Sequence, residues 1–115
     1  MRTHCLVTLA LVSLAALPVS AENWPGWRGP RGDGTSLEQN VPTRWNGATG
    51  ENIAWKVPIP GEGQGSPVAW DDSLFLVTCL TDTQERVLLC VDRRTGATRW
   101  QHTVVKSPLE TKHTL

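Results

Sequence analysis

The sequence predicts an all-β fold built from short antiparallel strands. After residue 52 the chain consists of brief apolar runs separated by turn residues, which is the pattern of strands and reversals. No window places apolar residues three and four positions apart, and prolines interrupt the remaining helix candidates. Two tryptophan-bearing segments, at residues 53–57 and 98–102, lie 45 residues apart. A repeat of this length is typical of β-propeller blades, so we expect about one blade of an incomplete ring.

The expected blade is a four-stranded antiparallel meander. Its strands are predicted at residues 66–70, 74–79, 87–92 and 98–104. Tight turns at residues 71–73 and 93–96 and a polar loop at residues 80–86 would join them. Residues 53–57 are either an edge strand of this blade or the closing strand of another.

Burial is predicted to differ between the middle and the last strand. Residues 74–78 and 87–91 are almost continuously apolar, as expected of strands that are covered on both faces. Trp100, in contrast, is flanked by threonine, arginine, glutamine and histidine. That polar pattern favours an outer edge of the blade for the last strand.

Residues 1–21 are predicted to be a secretory signal peptide. A short basic start precedes an apolar run from Cys5 to Leu17, and small residues occupy the positions one and three before a cut after Ala21. The apolar run falls short of the ~20 residues that span a bilayer. Cys5 lies at the start of that run instead of after it, which argues against a lipoprotein. We therefore expect a mature chain that begins at Glu22 and is periplasmic or secreted, with no membrane span.

Residues 22–52 are predicted to be an irregular arm that is rich in glycine, proline and polar residues. Disorder is not favoured for this segment, because it would leave three large apolar side chains exposed to water: Trp24, Trp27 and Trp45. We expect them to lie against a preformed surface of the ring.

Charge and cysteine content limit the function classes. Lys and Arg together number 11, as do Asp and Glu, so no electrostatic footprint for nucleic acid is present. Cys79 and Cys90 could form a disulfide in an exported protein, or remain buried thiols. A hairpin centred near residues 83–84 would pair Cys79 with Leu88 and Val77 with Cys90, which favours free thiols.

The segment from Val87 to Trp100 combines an apolar strand, the turn Asp92-Arg-Arg-Thr95-Gly96 and a tryptophan four positions later. It resembles the pyrroloquinoline-quinone-like propeller repeat of quinoprotein dehydrogenases and of the lipoprotein scaffold of outer-membrane protein assembly. Asp92 and Thr95 can exchange hydrogen bonds within such a turn, and Gly96 can supply left-handed backbone. The resemblance implies that Trp100 and the equivalent Trp55 are docking tryptophans between blades.

A second resemblance covers most of the chain after residue 22. It lies in the ordered motifs Trp24-Pro-x-Trp27-Arg-Gly-Pro, Gly32-Asp-Gly34, Pro42-x-x-Trp45, Ile53-Ala-Trp55-Lys and Gly65-Ser-Pro67-Val. These are similar to the start of exported propeller proteins of planctomycete-type bacteria. The resemblance implies that residues 53–115 are a first blade with the start of the next linker, and that the partners of this blade are the remaining blades.

No catalytic or cofactor site is expected in this part of the ring. Quinoprotein dehydrogenases bind pyrroloquinoline quinone and calcium. This chain lacks their vicinal cysteine pair and has no Asp, Asn or Glu residues at calcium-loop spacing. The name of the repeat family is therefore the one reason to consider pyrroloquinoline quinone as a cofactor. Residues 61–65 lack the lysine of a P-loop and are interpreted as a flexible loop. His102 and His113 have no partners at metal-ligand spacing, and no nucleophile motif surrounds Ser66 or Ser73.

Two functional hypotheses follow. The first is an exported, non-catalytic binding or scaffold propeller whose ring face binds proteins or saccharides. The alternative is the N-terminal part of a quinone-dependent dehydrogenase whose active site lies in other blades. A truncated gene product with little stable function is a third hypothesis. One blade leaves apolar flanks uncovered, so we expect the isolated mature chain to be marginally stable or prone to aggregation.

Overall fold

The computed structural model describes residues 21–109. The predicted signal sequence up to residue 20 and the predicted linker from residue 110, with His113, lie outside this range. The described residues form one four-stranded antiparallel sheet in the order β1-β2-β3-β4 and contain no helix. The strands are β1 (Val68–Trp70), β2 (Ser73–Leu80), β3 (Glu85–Asp92) and β4 (Thr98–Lys106). The predicted all-β meander is confirmed. No helix within this range is long and apolar enough to cross a membrane.

The hairpin between β2 and β3 is tighter than predicted. Leu80 pairs with Glu85, which leaves only residues 81–84 in the turn. Gln84 adopts a positive φ of 59°, so the chain reverses within this short connection. The predicted loop at residues 80–86 is therefore wrong at its ends, because both ends continue the strands.

The register corrects the expected cysteine neighbours. Cys79 lies opposite Arg86, and Cys90 lies opposite Phe75. The two cysteines are therefore offset by four positions along the hairpin, or about 13 Å at the usual strand rise. A disulfide needs Cα atoms within roughly 7 Å. Both cysteines are free thiols in this structure.

The core lies on one face of the sheet, which we call the core face. Val87, Leu89 and Val91 alternate along β3 and are 1–2 % exposed. Leucines of β2 and the indole of Trp55 pack against them. This alternation is what a strand produces when successive side chains point to opposite faces.

The opposite face, which we call the open face, carries a second apolar row. The register places Phe75, Cys90 and Trp100 side by side across three strands. Val77 and Leu88 form the next row. Cys90 is buried, but Val77 is 49 % and Trp100 is 45 % exposed. Within residues 21–109 the core face is thus fully buried along β3, whereas the leucines of β2 on that face are only partly buried.

Two expectations about the N-terminal half change. Residues 53–57 do not form a strand, and no ladder joins them to the sheet among the described residues. The edge of β1 pairs instead with Trp24, whose N–H and C=O bond the C=O and N–H of Ala69 at 2.8 and 2.9 Å. Trp24 therefore lies against the sheet, whereas Trp27 and Trp45 are 73 % and 70 % exposed.

Candidate functional site

The turn after β3 is held by the side chain of Asp92. Its Oδ1 accepts hydrogen bonds from the backbone N–H groups of Arg94 and Thr95, each at 2.9 Å, and from the Thr95 hydroxyl at 3.0 Å. The Asp92 C=O accepts from the Gly96 N–H at 2.8 Å. Aspartate at the first position of a turn commonly mimics backbone in this way. The predicted roles of Asp92 and Thr95 within the turn are therefore observed.

Gly96 is required at the end of the turn for two separate reasons. Its φ is +75°, which is left-handed backbone that side chains disfavour. A Cβ atom at this position would also lie 2.7 Å from the Trp55 ring and 3.0 Å from a Val57 methyl group. The turn thus presents a flat backbone surface to which the indole fits closely.

Trp55 is seated on this turn although it lies about 40 residues earlier in the chain. Its Nε1–H donates to the C=O of Arg93 at 2.9 Å. The ring also packs against the buried cluster of β3 on the core face. An indole that combines apolar contact with a satisfied N–H is a strong anchor. We call this arrangement the docking site, formed by Asp92, Arg93, Thr95, Gly96 and Trp55.

An ion pair stabilises the base of the docking site. The guanidinium of Arg99 on β4 bonds Asp92 Oδ2 at 2.6 Å and the Ser73 hydroxyl at 2.9 Å. This guanidinium, followed by the backbone N–H of Thr95, holds the pKa of Asp92 well below its usual range. Arg99 is a residue of the site that was not predicted from the sequence. Its position just after the turn, opposite the end of β3, could have indicated that it pairs with Asp92.

Trp100 is the predicted site residue that the docking site does not include. It lies on the open face, opposite to Trp55, with the Phe75 ring at 6.0 Å and tilted by 50°. No hydrogen bond from its indole N–H to a described residue is present. Trp55 and Trp100 therefore lie on opposite faces of the same sheet.

Residues 61–65 form a loop that contacts β2. Glu62 forms a two-way backbone bridge with Cys79 at 2.7 and 2.9 Å. The Thr78 hydroxyl donates to the Pro60 C=O at 2.6 Å. Gly61 takes a φ of +81°, and a Cβ there would lie 2.7 Å from the Thr78 hydroxyl. This segment is therefore a loop, as expected, and it is attached to β2 by one backbone bridge and one side-chain hydrogen bond.

The described residues do not fit a quinone or calcium site. Within residues 21–109 no group of three His, Cys, Asp or Glu side chains is placed to hold a metal ion. The cysteines are not vicinal, and His102 lies exposed on β4. No chemical step is therefore derived through either group.

Comparisons of the chain with protein-family models, with curated proteins and with solved structures each return no match. What the chain does is therefore inferred from the geometry of its own described residues.

Proposed function

We propose that the chain is the N-terminal repeat of an exported, non-catalytic β-propeller of the pyrroloquinoline-quinone-like class. Its blade binds neighbouring blades head to tail, and the assembled ring acts as a binding or scaffold surface. One observation carries the proposal: Trp55 occupies a Gly96 turn on the core face, whereas Trp100, 45 residues later, projects from the open face.

The polarity of the blade supports head-to-tail association. The Gly96 turn is already filled by Trp55, so it is not free to receive Trp100 of a second copy. Trp100 instead fits an equivalent turn in a following repeat. Contacts between two different faces generate rings when the rotation closes.

The open face is the surface that such a neighbour would cover. Phe75, Val77, Leu88 and Trp100 form a contiguous apolar patch on it. Val77 and Trp100 are each about half exposed. Blades of a repeat protein bury such faces against one another, and most of their stability comes from these interfaces.

Residues 53–57 support the same arrangement. They lie outside the sheet. Trp55 is the residue among them whose side chain forms a hydrogen bond to the Gly96 turn, at the Arg93 C=O. If Trp55 is the equivalent of Trp100, this segment is the outer strand of a different blade. Because residues 53–57 form no strand of this sheet, the closing-strand alternative is the one that we propose.

A scaffold role agrees with how the charged residues of the docking site are used. Asp92 is occupied by Arg99 and by the turn, and Thr95 closes the same turn. These contacts stabilise structure. No observation on the described residues favours the alternative of a quinone-dependent dehydrogenase. The partners we propose are the other blades and, at the ring face, a protein or saccharide.

A tandem chain tests the proposal. In it, residues 22–106 are followed by a second copy of residues 62–106, which keeps β4 of the first blade intact. The second copy then has a free Gly96-type turn as far along the chain from Trp100 as Gly96 is from Trp55. We expect the first blade to resist proteolysis better in the tandem than in the single chain. Trp100→Ala should remove that gain, and Trp45→Ala in the exposed arm should not. Equal resistance of the single and tandem chains would contradict the proposal.

A further inference from the structure

The first residues after the predicted cleavage site are individually anchored. The backbone N of Glu22 donates to Glu38 Oε1 at 2.6 Å. The side chain of Asn23 accepts from the Asp71 N–H at 2.6 Å. Trp24 follows with its two-way bridge to β1. Glu22 therefore bonds within the arm, and the next two residues attach the arm to the sheet.

The side chain of Glu22 closes the arm into a loop. Its carboxylate accepts two hydrogen bonds from Arg31, at 2.6 and 2.9 Å. The same guanidinium donates to the Thr35 C=O at 2.6 Å. Arg31 holds the pKa of Glu22 below its ordinary value. This bidentate pair leaves the charge of Arg31 largely matched by Glu22.

We propose that signal-peptide removal creates an ion pair between the new α-ammonium group of Glu22 and the carboxylate of Glu38, which fastens the arm of the mature protein. Water adds across the Ala21–Glu22 bond, so that Ala21 leaves with the carboxylate and Glu22 keeps the amine. An α-amine takes up a proton at neutral pH, since its ordinary pKa is about 8. The inference depends on the predicted processing and is independent of the proposed docking between blades.

The geometry for this ion pair exists before the charge does. The nitrogen that becomes the ammonium group already lies at hydrogen-bond distance from Glu38 Oε1. Glu38 is itself positioned by its backbone N–H, which donates to the Ser36 hydroxyl at 3.1 Å. Processing therefore replaces a neutral donor by a charged one, which adds a Coulomb attraction to a hydrogen bond whose acceptor is already a carboxylate.

The charges that face the new terminus are few. The carboxylates of Glu38 and Glu22 favour the ammonium form, and the guanidinium of Arg31 opposes it. Because Arg31 is paired with Glu22, Glu38 is the carboxylate left to face the ammonium group. Glu38 should therefore raise the pKa of the α-amine.

The full chain, exported with its own leader, provides the test. Intact mass should show a mature chain that begins at Glu22. The α-amine is then labelled with an N-hydroxysuccinimide ester at pH 7 and quantified by peptide mass spectrometry. We expect the α-amine of the parent chain to be labelled about three times more slowly than that of Glu38→Gln. A factor of this size corresponds to the stabilisation that an exposed ion pair gives to the unreactive ammonium form.

Two controls make the result specific. Glu51→Gln removes an exposed carboxylate elsewhere in the arm and should label like the parent chain. Labelling in urea gives the rate at which the α-amine reacts in the unfolded chain. The proposal is overturned by a mature chain that begins elsewhere, by equal rates in parent and Glu38→Gln, or by a native rate equal to that in urea.

Discussion

The indole of Trp55 fills the space that a Cβ atom on residue 96 would need, with ring carbons 2.7 and 2.8 Å from that position. The indole N–H of the same residue reaches the Arg93 carbonyl at 2.9 Å. The Trp55 indole, about 40 residues upstream, is thus one of the two reasons why a glycine is needed at the end of this turn. This contact relates the sequence motif to the way in which we propose that blades associate.

Gly96→Ala should destabilise the blade by about 3 kcal/mol, because positive φ and the collision with the indole both oppose a methyl group. Gly34→Ala is the matched control. Gly34 has a φ of +82° but no atom within 4 Å of a Cβ, so only the backbone cost of about 1 kcal/mol applies. Rates of limited proteolysis in dilute solution would report both differences. Equal effects would show that the indole does not press on the turn.

Trp55→Phe should cost about 1 kcal/mol, because the ring remains but the Arg93 carbonyl loses its donor. Trp55→Ala should cost about 3 kcal/mol, because the contact with the core face is also lost. Trp100→Phe is the comparison, and in the single chain it should change little. The same proteolysis assay checks all three. A Trp100→Phe effect as large as that of Trp55→Phe would contradict the assignment.

Asp92 should make the turn sensitive to acid. The pKa of its carboxyl is lowered in the folded state, chiefly by Arg99, so the stabilisation is present above the unfolded value near 4 and is lost as the pH falls below it. Amide hydrogen exchange of residues 92–97, corrected for intrinsic rates, should accelerate progressively below about pH 4. Asp92→Asn should flatten this dependence, and Asp82→Asn in the exposed β2–β3 turn should not. A profile unchanged by Asp92→Asn would contradict the assignment.

Cys79 and Cys90 should remain unpaired under oxidising conditions, because the register offsets them by four positions. Iodoacetamide should alkylate Cys79 first, since Cys90 is 2 % exposed and Cys79 is only partly covered. Peptide mass spectrometry after timed labelling would give the order. A disulfide between the two in the folded protein would refute the observed register.

Much of the sheet could be predicted because its signals are local. Apolar runs bounded by Asp, Gly and polar turns gave the four strands and their order. The Asp92 turn could also be predicted, since Asp, Thr and Gly at that spacing satisfy one another within a few residues. These interactions need no knowledge of the rest of the fold.

The remainder depends on contacts between distant segments. The position of Trp55 on the turn, the bridge of Trp24 to Ala69 and the bridge of Glu62 to Cys79 each join residues far apart in sequence. The observed register of the β2–β3 hairpin differs from the expected one because the chain reverses between residues 82 and 83, one residue earlier than expected. Polarity near Glu85 did not reveal that its backbone is paired. Residues 53–57 have the sequence of a strand but form none in this structure. We propose that they pair with a strand of another blade.

The central claim is that Trp100 binds a following turn as Trp55 binds the Gly96 turn. Hydrogen exchange of the two indole N–H groups, followed by NMR in the single and tandem chains, tests it most directly. In the single chain the Trp55 indole should exchange slowly and the Trp100 indole rapidly. In the tandem both should be slow, and Gly→Ala at the second turn should restore rapid exchange at Trp100. Rapid exchange of the Trp100 indole in the tandem would contradict the claim.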